Sequence, residues 1–370
     1  MSFRLLHLCS GTEYSKPLSR ILEPAHSLTV THTLADTRTA LARDSDWQML
    51  LIDIQMVQQL GEGTCEQLIS STRSLHIQCA LTGTSNIPTD QLLALRLGCL
   101  GDLAMPYITS LVTAKLDTWS TISQSFRQEQ QRKQELQQIQ QAAILCMAHI
   151  TRLRDHSTGN HTLRCQHFVR VLAEKLRSHP DFSGELIDSH TIELLSQSAA
   201  LHDIGKVGIA DNILQKPGSL NAAEYETMKQ HTWHGYQALA DAEKLLPEHT
   251  HISTETFIRF GKQITLSHHE RWDGKGYPQQ LKGTQIPISA RLMAVADVYD
   301  AVTSERPYQP ERSHQVAVSI IQHGRGNQFD PNVVDAFLAL TGLFSQTNQL
   351  LQARFPSHEA QHQLSTDALH

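Results

Sequence analysis

HDIGKVGIADNILQKPG (residues 202–218) and HHERWDGKGYP (residues 268–278) each open on a pair of ligand-type side chains and run on into a glycine-bearing turn. In and around these two stretches, seven such side chains stand in order: His161, His202, Asp203, His231, His268, His269 and Asp297. Five imidazoles and two carboxylates exceed what one tetrahedral zinc takes. They suit two octahedral ions that share a carboxylate. Imidazole and carboxylate donors without thiolate point to a borderline-hard metal, iron first and manganese second. Two such ions held together are an apparatus for in-line displacement at phosphorus. The chain contains 22 histidines, so a lone His beside an Asp would be an ordinary pair. The local contexts of these residues set them apart.

The surrounding region is mostly helical by pattern. Residues 162–177 and 191–201 carry apolar side chains at helical spacing. His202 and Lys206 are four apart and share a face if the helix continues through them, while His161/Arg164 and Asp297/Asp300 are three apart. Gly205, Gly208 and Pro217-Gly218 mark a helix that ends in a tight loop. A site inside a helical bundle needs pairs of groups presented to one side in this way.

Together with IPISARLMAVADVYDAVTSERPY (286–308) and GNQFDP (326–331), these segments resemble the HD-GYP family of cyclic-dinucleotide phosphodiesterases, over roughly residues 142–344. The resemblance implies an all-α HD-type metallohydrolase domain. Asp203 would bridge two ions, with His161, His202 and Asp297 on one and His231, His268 and His269 on the other. Lys206 would give a cationic hydrogen bond to a phosphate oxygen, a task an ammonium performs without bidentate geometry. Arg164, Gly276, Tyr277, Asp300 and Arg306 are the implied substrate contacts, with Tyr277 an exposed aromatic on a loop that in the family also recruits diguanylate cyclase domains. The implied reaction is hydrolysis of cyclic di-GMP to pGpG or GMP. The alternatives are another cyclic dinucleotide, such as cyclic GMP-AMP, or a non-catalytic receptor.

The sequence departs from the family in several places. Ser157 stands where three-metal members carry Glu, so two ions are expected, because a hydroxyl is a poor substitute for an anionic ligand on a hard cation. Gln309 replaces a frequent lysine, and Gln280-Leu281 a frequent Gly-Leu. Residues 241–262 are longer than expected between His231 and His268, and an added helix near the site entrance is predicted there.

The rest of the chain divides around this region into residues 1–115, 116–154, 155–354 and a polar tail, 355–370, expected to be disordered. RLLHL (4–8) and MLLI (49–52) read as buried parallel strands within an α/β alternation. This part resembles a flavodoxin-like response-regulator receiver. Asp53 sits at the phosphoacceptor position and Thr82 at the switch hydroxyl. The acidic pair expected after the first strand is Cys9-Ser10, however, and the lysine expected before Pro106 is Met105. Mg²⁺ binds through carboxylates, so this pocket should accept phosphate poorly. Residues 123–143 (SQSFRQEQQRKQELQQIQQAA) lack Gly and Pro. A broken heptad seam runs Ile122, Phe126, Glu129, Lys133, Leu136, Gln140, Ala143, Met147, Ile150, predicting a helical connector that pairs two copies as a parallel coiled coil.

A formal net charge of −6 and a pI near 6.4 argue against a general DNA binder. No run of about 18 apolar residues predicts a membrane span, and the first residues lack the pattern of a signal peptide. The six widely spaced cysteines read as reduced thiols, so a cytoplasmic protein is expected.

Overall fold

A computed structural model describes residues 3–22, 25–44, 46–75, 77–85, 87–155, 161–186, 188–247, 252–304 and 312–354. Ser157, Arg306, Gln309 and the tail 355–370 therefore lie outside the described residues. The chain forms two compact units that meet in sequence between Gln137 and Gln138.

In the first unit the two apolar runs become strands of a five-stranded parallel sheet: β1 Arg4–Leu8, β2 Ser27–Thr31, β3 Met49–Asp53, β4 Gln78–Thr84 and β5 Asp102–Ala104. Their order, β2-β1-β3-β4-β5, is that of a doubly wound fold. Every residue of β3 is buried, as expected of a central strand covered on both faces. Leu50 and Ile52 pack into one apolar cluster, and Met49 and Leu51 into the other.

Asp53 ends β3 and pairs in register with Thr82. It is fully buried. Its carboxylate accepts from the Ser10 hydroxyl at 3.1 Å and from the Gln55 N–H at 3.1 Å, which caps the helix Ile54–Leu60. Gly83, at φ +74°, presses in from β4, where a Cβ would stand 2.8 Å from Asp53 Oδ1. The Thr82 hydroxyl is engaged by His7 Nε2 at 3.0 Å. A carboxylate sealed and tied in this way, with Cys9-Ser10 where an acidic pair would bind Mg²⁺, is a weak phosphoacceptor. Incubation with acetyl phosphate and Mg²⁺ should leave Asp53 unmodified by mass spectrometry, and stoichiometric phospho-Asp53 would overturn this assignment.

The second unit is helical. Its core stacks Phe168 on Phe344, with centroids 4.3 Å apart and planes 8° apart, and sets Tyr299 edge-on to both. Such pairs contribute about 0.5–1.5 kcal/mol each beyond area burial. Here they fix the helices His161–Leu176 and Ile288–Val302 against each other, and those helices carry His161 and Asp297. Among the described residues, no separate helix occupies the stretch 241–262, where one was expected. Ala222–Lys244 and Ile252–Ser267 simply extend into that stretch, lengthening the two helices that lead to His231 and His268.

A single helix, Thr109–Asp155, spans the predicted connector and begins earlier than residue 116. Val112, Leu116 and Trp119 are buried in the sheet unit's core. Ile144 and Ala148 are buried in the second unit. Leu136, Met147 and Ile150 of the heptad seam face outward, Leu136 at 59% exposure. All six cysteines are free, and no described helix is long and apolar enough to cross a membrane.

Candidate metal centre

Five elements converge on one cluster. His161 opens its helix, Asp297 lies within Ile288–Val302, and His231 lies mid-way along Ala222–Lys244. His268 and His269 follow directly on Ile252–Ser267. His202 and Asp203 sit between two 3-10 turns, Ala199–Leu201 and Ile204–Gly208. The α-helix does not continue through Lys206, and the chain turns here, in line with a helix ending at Gly205 and Gly208. Asp203, at φ −102° and ψ 7°, turns the chain in the bridge region. Gly205 allows the turn to press on the neighbouring helix, because a Cβ there would stand 1.9 Å from the His231 carbonyl oxygen.

The ligand atoms of Asp203, His231, His268 and His269 lie within 4.8 Å of one another, and so do those of His161, His202 and Asp203. Asp203 is common to both sets. Its Oδ2 is 3.2 Å from His202 Nε2, and its Oδ1 is 3.5 and 3.9 Å from His231 and His268 Nε2. Asp297 Oδ1 stands 3.7 Å from His161 Nε2 and 4.0 Å from His202 Nε2. The expected ligands are therefore brought together around one shared carboxylate.

Four of the imidazoles are held in the same way. Nδ1 of His202, His231 and His268 faces the backbone carbonyls of Ala199, Met228 and Ile264 at 2.9, 2.7 and 2.8 Å, and Nδ1 of His161 faces Asp300 at 2.6 Å. An Nδ1–H committed to an outer acceptor leaves Nε2 as a lone pair pointing inward, the usual outer-shell arrangement of metal-ligating histidines. His231 and His268 Nε2 are buried with no hydrogen-bond partner, and His161 and His202 Nε2 approach to 3.1 Å. Inward lone pairs at that distance, beside carboxylates, fit metal binding.

The electrostatics agree with this fit. Burial, reinforced by the neighbouring imidazoles, pushes His268 down to about 3 and His269 well below the usual histidine range. Burial also lowers His161 and His231, so the neutral, ligating form prevails. His202 is the exception. Burial opposes its charge, but the carboxylates of Asp203 and Asp297 outweigh burial and raise it, so positive charge is favoured where those acids converge. Burial likewise opposes the Asp203 anion, yet Lys206, His202 and His231 hold its carboxyl well below the ordinary range.

Lys206 lies at the cluster, its Nζ 2.8 Å from Asp203 Oδ2. Three expected substrate contacts are placed differently. Arg164 and Asp300 are buried, at 2% and 1% exposure, and form an ion pair behind His161, with Arg164 also donating to Ser304 Oγ at 2.7 Å. They hold the His161 ring, since Asp300 takes its Nδ1 bond, and neither side chain is open to solvent. Tyr277 is half-buried, stacked on His269 at 4.8 Å and 29°. Gly276 is required sterically, because a Cβ there would lie 2.4 Å from the Arg271 nitrogen. Glu270 was not singled out from sequence. It is buried and accepts N–H bonds from Gln279 at 2.7 Å and Leu281 at 3.0 Å, pinning the loop that carries Tyr277. Its place directly after His268-His269 was the available signal. A cavity of about 310 Å³ opens here, lined by Tyr225, His268, His269, Tyr277 and Asp297 among others. That is near the lower end of small-molecule pockets.

Comparison with known proteins places these observations. The family profile described as HD domain matches residues 183–333, which hold all the ligands except His161. The chain is 41% identical over 302 residues to a Vibrio cholerae protein named "Probable cyclic di-GMP phosphodiesterase", covering 78% of this chain and 67% of that one. It is 49% identical over 210 residues to a second V. cholerae protein, a cyclic di-GMP phosphodiesterase, covering 57% and 41%. A third protein from that organism, a 3'3'-cGAMP-specific phosphodiesterase, is 32% identical over 205 residues, covering 55% and 35%. The match thus spans two thirds of the first relative and less than half of the other two.

Proposed function

This chain belongs to the HD-domain cyclic di-GMP phosphodiesterases, and we propose that it hydrolyses cyclic di-GMP to pGpG or GMP. The observation that carries this reading is the Asp203 carboxylate shared by two buried donor sets, with the Lys206 ammonium 2.8 Å away. We infer two ions, iron first and manganese second, from a donor set that is imidazole and carboxylate. Bound divalent ions supply Lewis acidity toward the phosphodiester and lower the pKa of water to near neutrality.

The chain's own groups do the rest. His161, His202 and Asp297 would hold one ion and His231, His268 and His269 the other, with Asp203 available to both donor sets. Arg164 and Asp300 fix the His161 ring. Lys206 gives a charge-assisted hydrogen bond to a phosphate oxygen as negative charge builds there. Tyr277 walls the cavity, and Glu270 holds its loop in place. The same loop is the surface for a diguanylate cyclase domain.

A non-catalytic receptor would have no use for a lysine poised at an ion-bridging carboxylate. The test is turnover of metal-reconstituted protein on cyclic di-GMP and cyclic GMP-AMP in parallel. A higher kcat/KM for cyclic di-GMP is expected. The reverse order would move the substrate to cyclic GMP-AMP, and tight binding without turnover of either would make the protein a receptor.

We also propose that two copies pair in parallel along Thr109–Asp155. Support comes from the exposed Leu136, Met147 and Ile150 on a helix that carries buried residues only near its two ends. Apolar side chains left in water along one seam favour a matching seam. Leu136→Glu with Met147→Glu should convert a dimer to monomer in sedimentation at micromolar concentration. A wild type that is already monomeric there refutes the pairing.

A further inference from the structure

The last turn of the Thr109–Asp155 helix grips the segment that follows Lys206. Arg154 donates from Nη1 to the Val207 carbonyl, from Nη2 to the Ile209 carbonyl at 3.0 Å, and from Nε and Nη2 to Asp211 Oδ1 at 3.2 and 2.6 Å. Gln215 closes the contact from the other side by donating to the Arg154 carbonyl at 3.0 Å. Short helical turns leave their last carbonyls without internal partners. Val207 and Ile209 lie at the end of the 3-10 turn Ile204–Gly208. One planar guanidinium reaches two such carbonyls and a carboxylate at once, which a point-charge ammonium does less well.

The same helix holds the opposite flank through apolar contact. Ile144 and Ala148 are buried against Ala200 and Leu201, just before His202, and Ile204 packs on the same cluster. His202, Asp203 and Lys206 are therefore bracketed by one helix, with an apolar grip upstream and a polar grip downstream. Asp203 and its neighbours have other partners in the cluster. Lys206 rides on a single 3-10 turn, where Lys206 N–H bonds the Asp203 carbonyl at 2.9 Å and Ile209 N–H bonds the Lys206 carbonyl at 3.0 Å. Its aim depends on where the end of that turn is anchored.

We propose that Arg154 is a positioning residue for Lys206, so that the connector helix sets the aim of the phosphate-binding ammonium. Movement of the helix by a fraction of a turn then changes turnover with the metal donors left in place. This rests on the phosphodiesterase reading of the site. In Arg154→Ala, amide hydrogen exchange should quicken over residues 204–211 and stay as in the wild type around His231 and His268, with metal content unchanged. Turnover kcat should fall on the order of 10-fold, less than the 10²-fold that a 1 Å misplacement can cost, with KM within about twofold, as loss of a transition-state contact implies. Arg154→Lys should recover part of the loss. Arg154→Ala should cost nothing further in a Lys206→Ala background. Asp211→Asn, which spares the two carbonyl bonds, should give a smaller shift of the same kind and serves if Arg154→Ala does not fold.

Unchanged exchange over 204–211 would overturn the clamp. Unchanged kcat, or losses that multiply in the double variant, would overturn its service to Lys206. A wild type inert on every cyclic dinucleotide would defeat the functional reading, and the exchange data would still decide the clamp.

Discussion

Asp203→Ala is expected to lose both metal ions and, with them, all turnover above background. The two oxygens of Asp203 face different donor sets, His202 on one side and His231 with His268 on the other. Loss of an outer-shell partner of a metal ligand costs about 10–100-fold in affinity, and loss of a shared ligand exceeds that for both ions together. The variant also leaves Lys206 without its 2.8 Å partner and places inward-facing imidazoles around a site with less negative charge. Asp203→Asn separates shape from charge, since it keeps the volume and removes the anion, and it should behave like the alanine variant. Elemental analysis of anaerobically purified protein is the readout. Retention of two equivalents in Asp203→Ala would show that the bridge is misassigned.

Lys206→Ala should instead keep its metals and lose about 10²–10³-fold in kcat, the range for removing one preorganised donor aimed at developing charge. Lys206 is paired with the Asp203 carboxylate and is not itself a metal donor, so its removal leaves all seven ligands in place. Single-turnover rates on metal-replete protein separate this from a binding defect. A wild-type rate would remove Lys206 from the mechanism.

The clustered donors were legible because they come in short local contexts: HD before a glycine turn, HH before a second one. Each context limits what its neighbours can be. The sheet was legible too, since RLLHL and MLLI are too apolar to be anything but central strands, and they form β1 and β3. Spacing alone misled where direction mattered. The pairs His161/Arg164 and Asp297/Asp300 do share helical faces, but the faces meet each other. Arg164 and Asp300 close into a buried ion pair where open substrate contacts were expected. Gly205 and Gly208 marked the end of a helix, but not that the turn falls at Asp203. It is imposed by the His231 helix running against Gly205, a contact between segments far apart in sequence. Tyr277 read as an exposed aromatic because a Gly-rich loop is ordinarily open. His269 offers it a ring to stack on, which no local pattern announces. The connector helix starts at Thr109 because Val112, Leu116 and Trp119 complete the sheet unit's core. Their helical spacing was visible, but the composition shift further along drew the boundary.

Two ions sharing Asp203 are what the proposed phosphodiesterase activity requires. The most direct measurement titrates metal-free protein with ferrous iron under anaerobic conditions while following both bound metal and conversion of cyclic di-GMP. Turnover that rises to a plateau at two equivalents per chain, with pGpG formed as binding completes, is the predicted result. A fully loaded protein that leaves cyclic di-GMP intact, or a plateau at one or three equivalents, would contradict it.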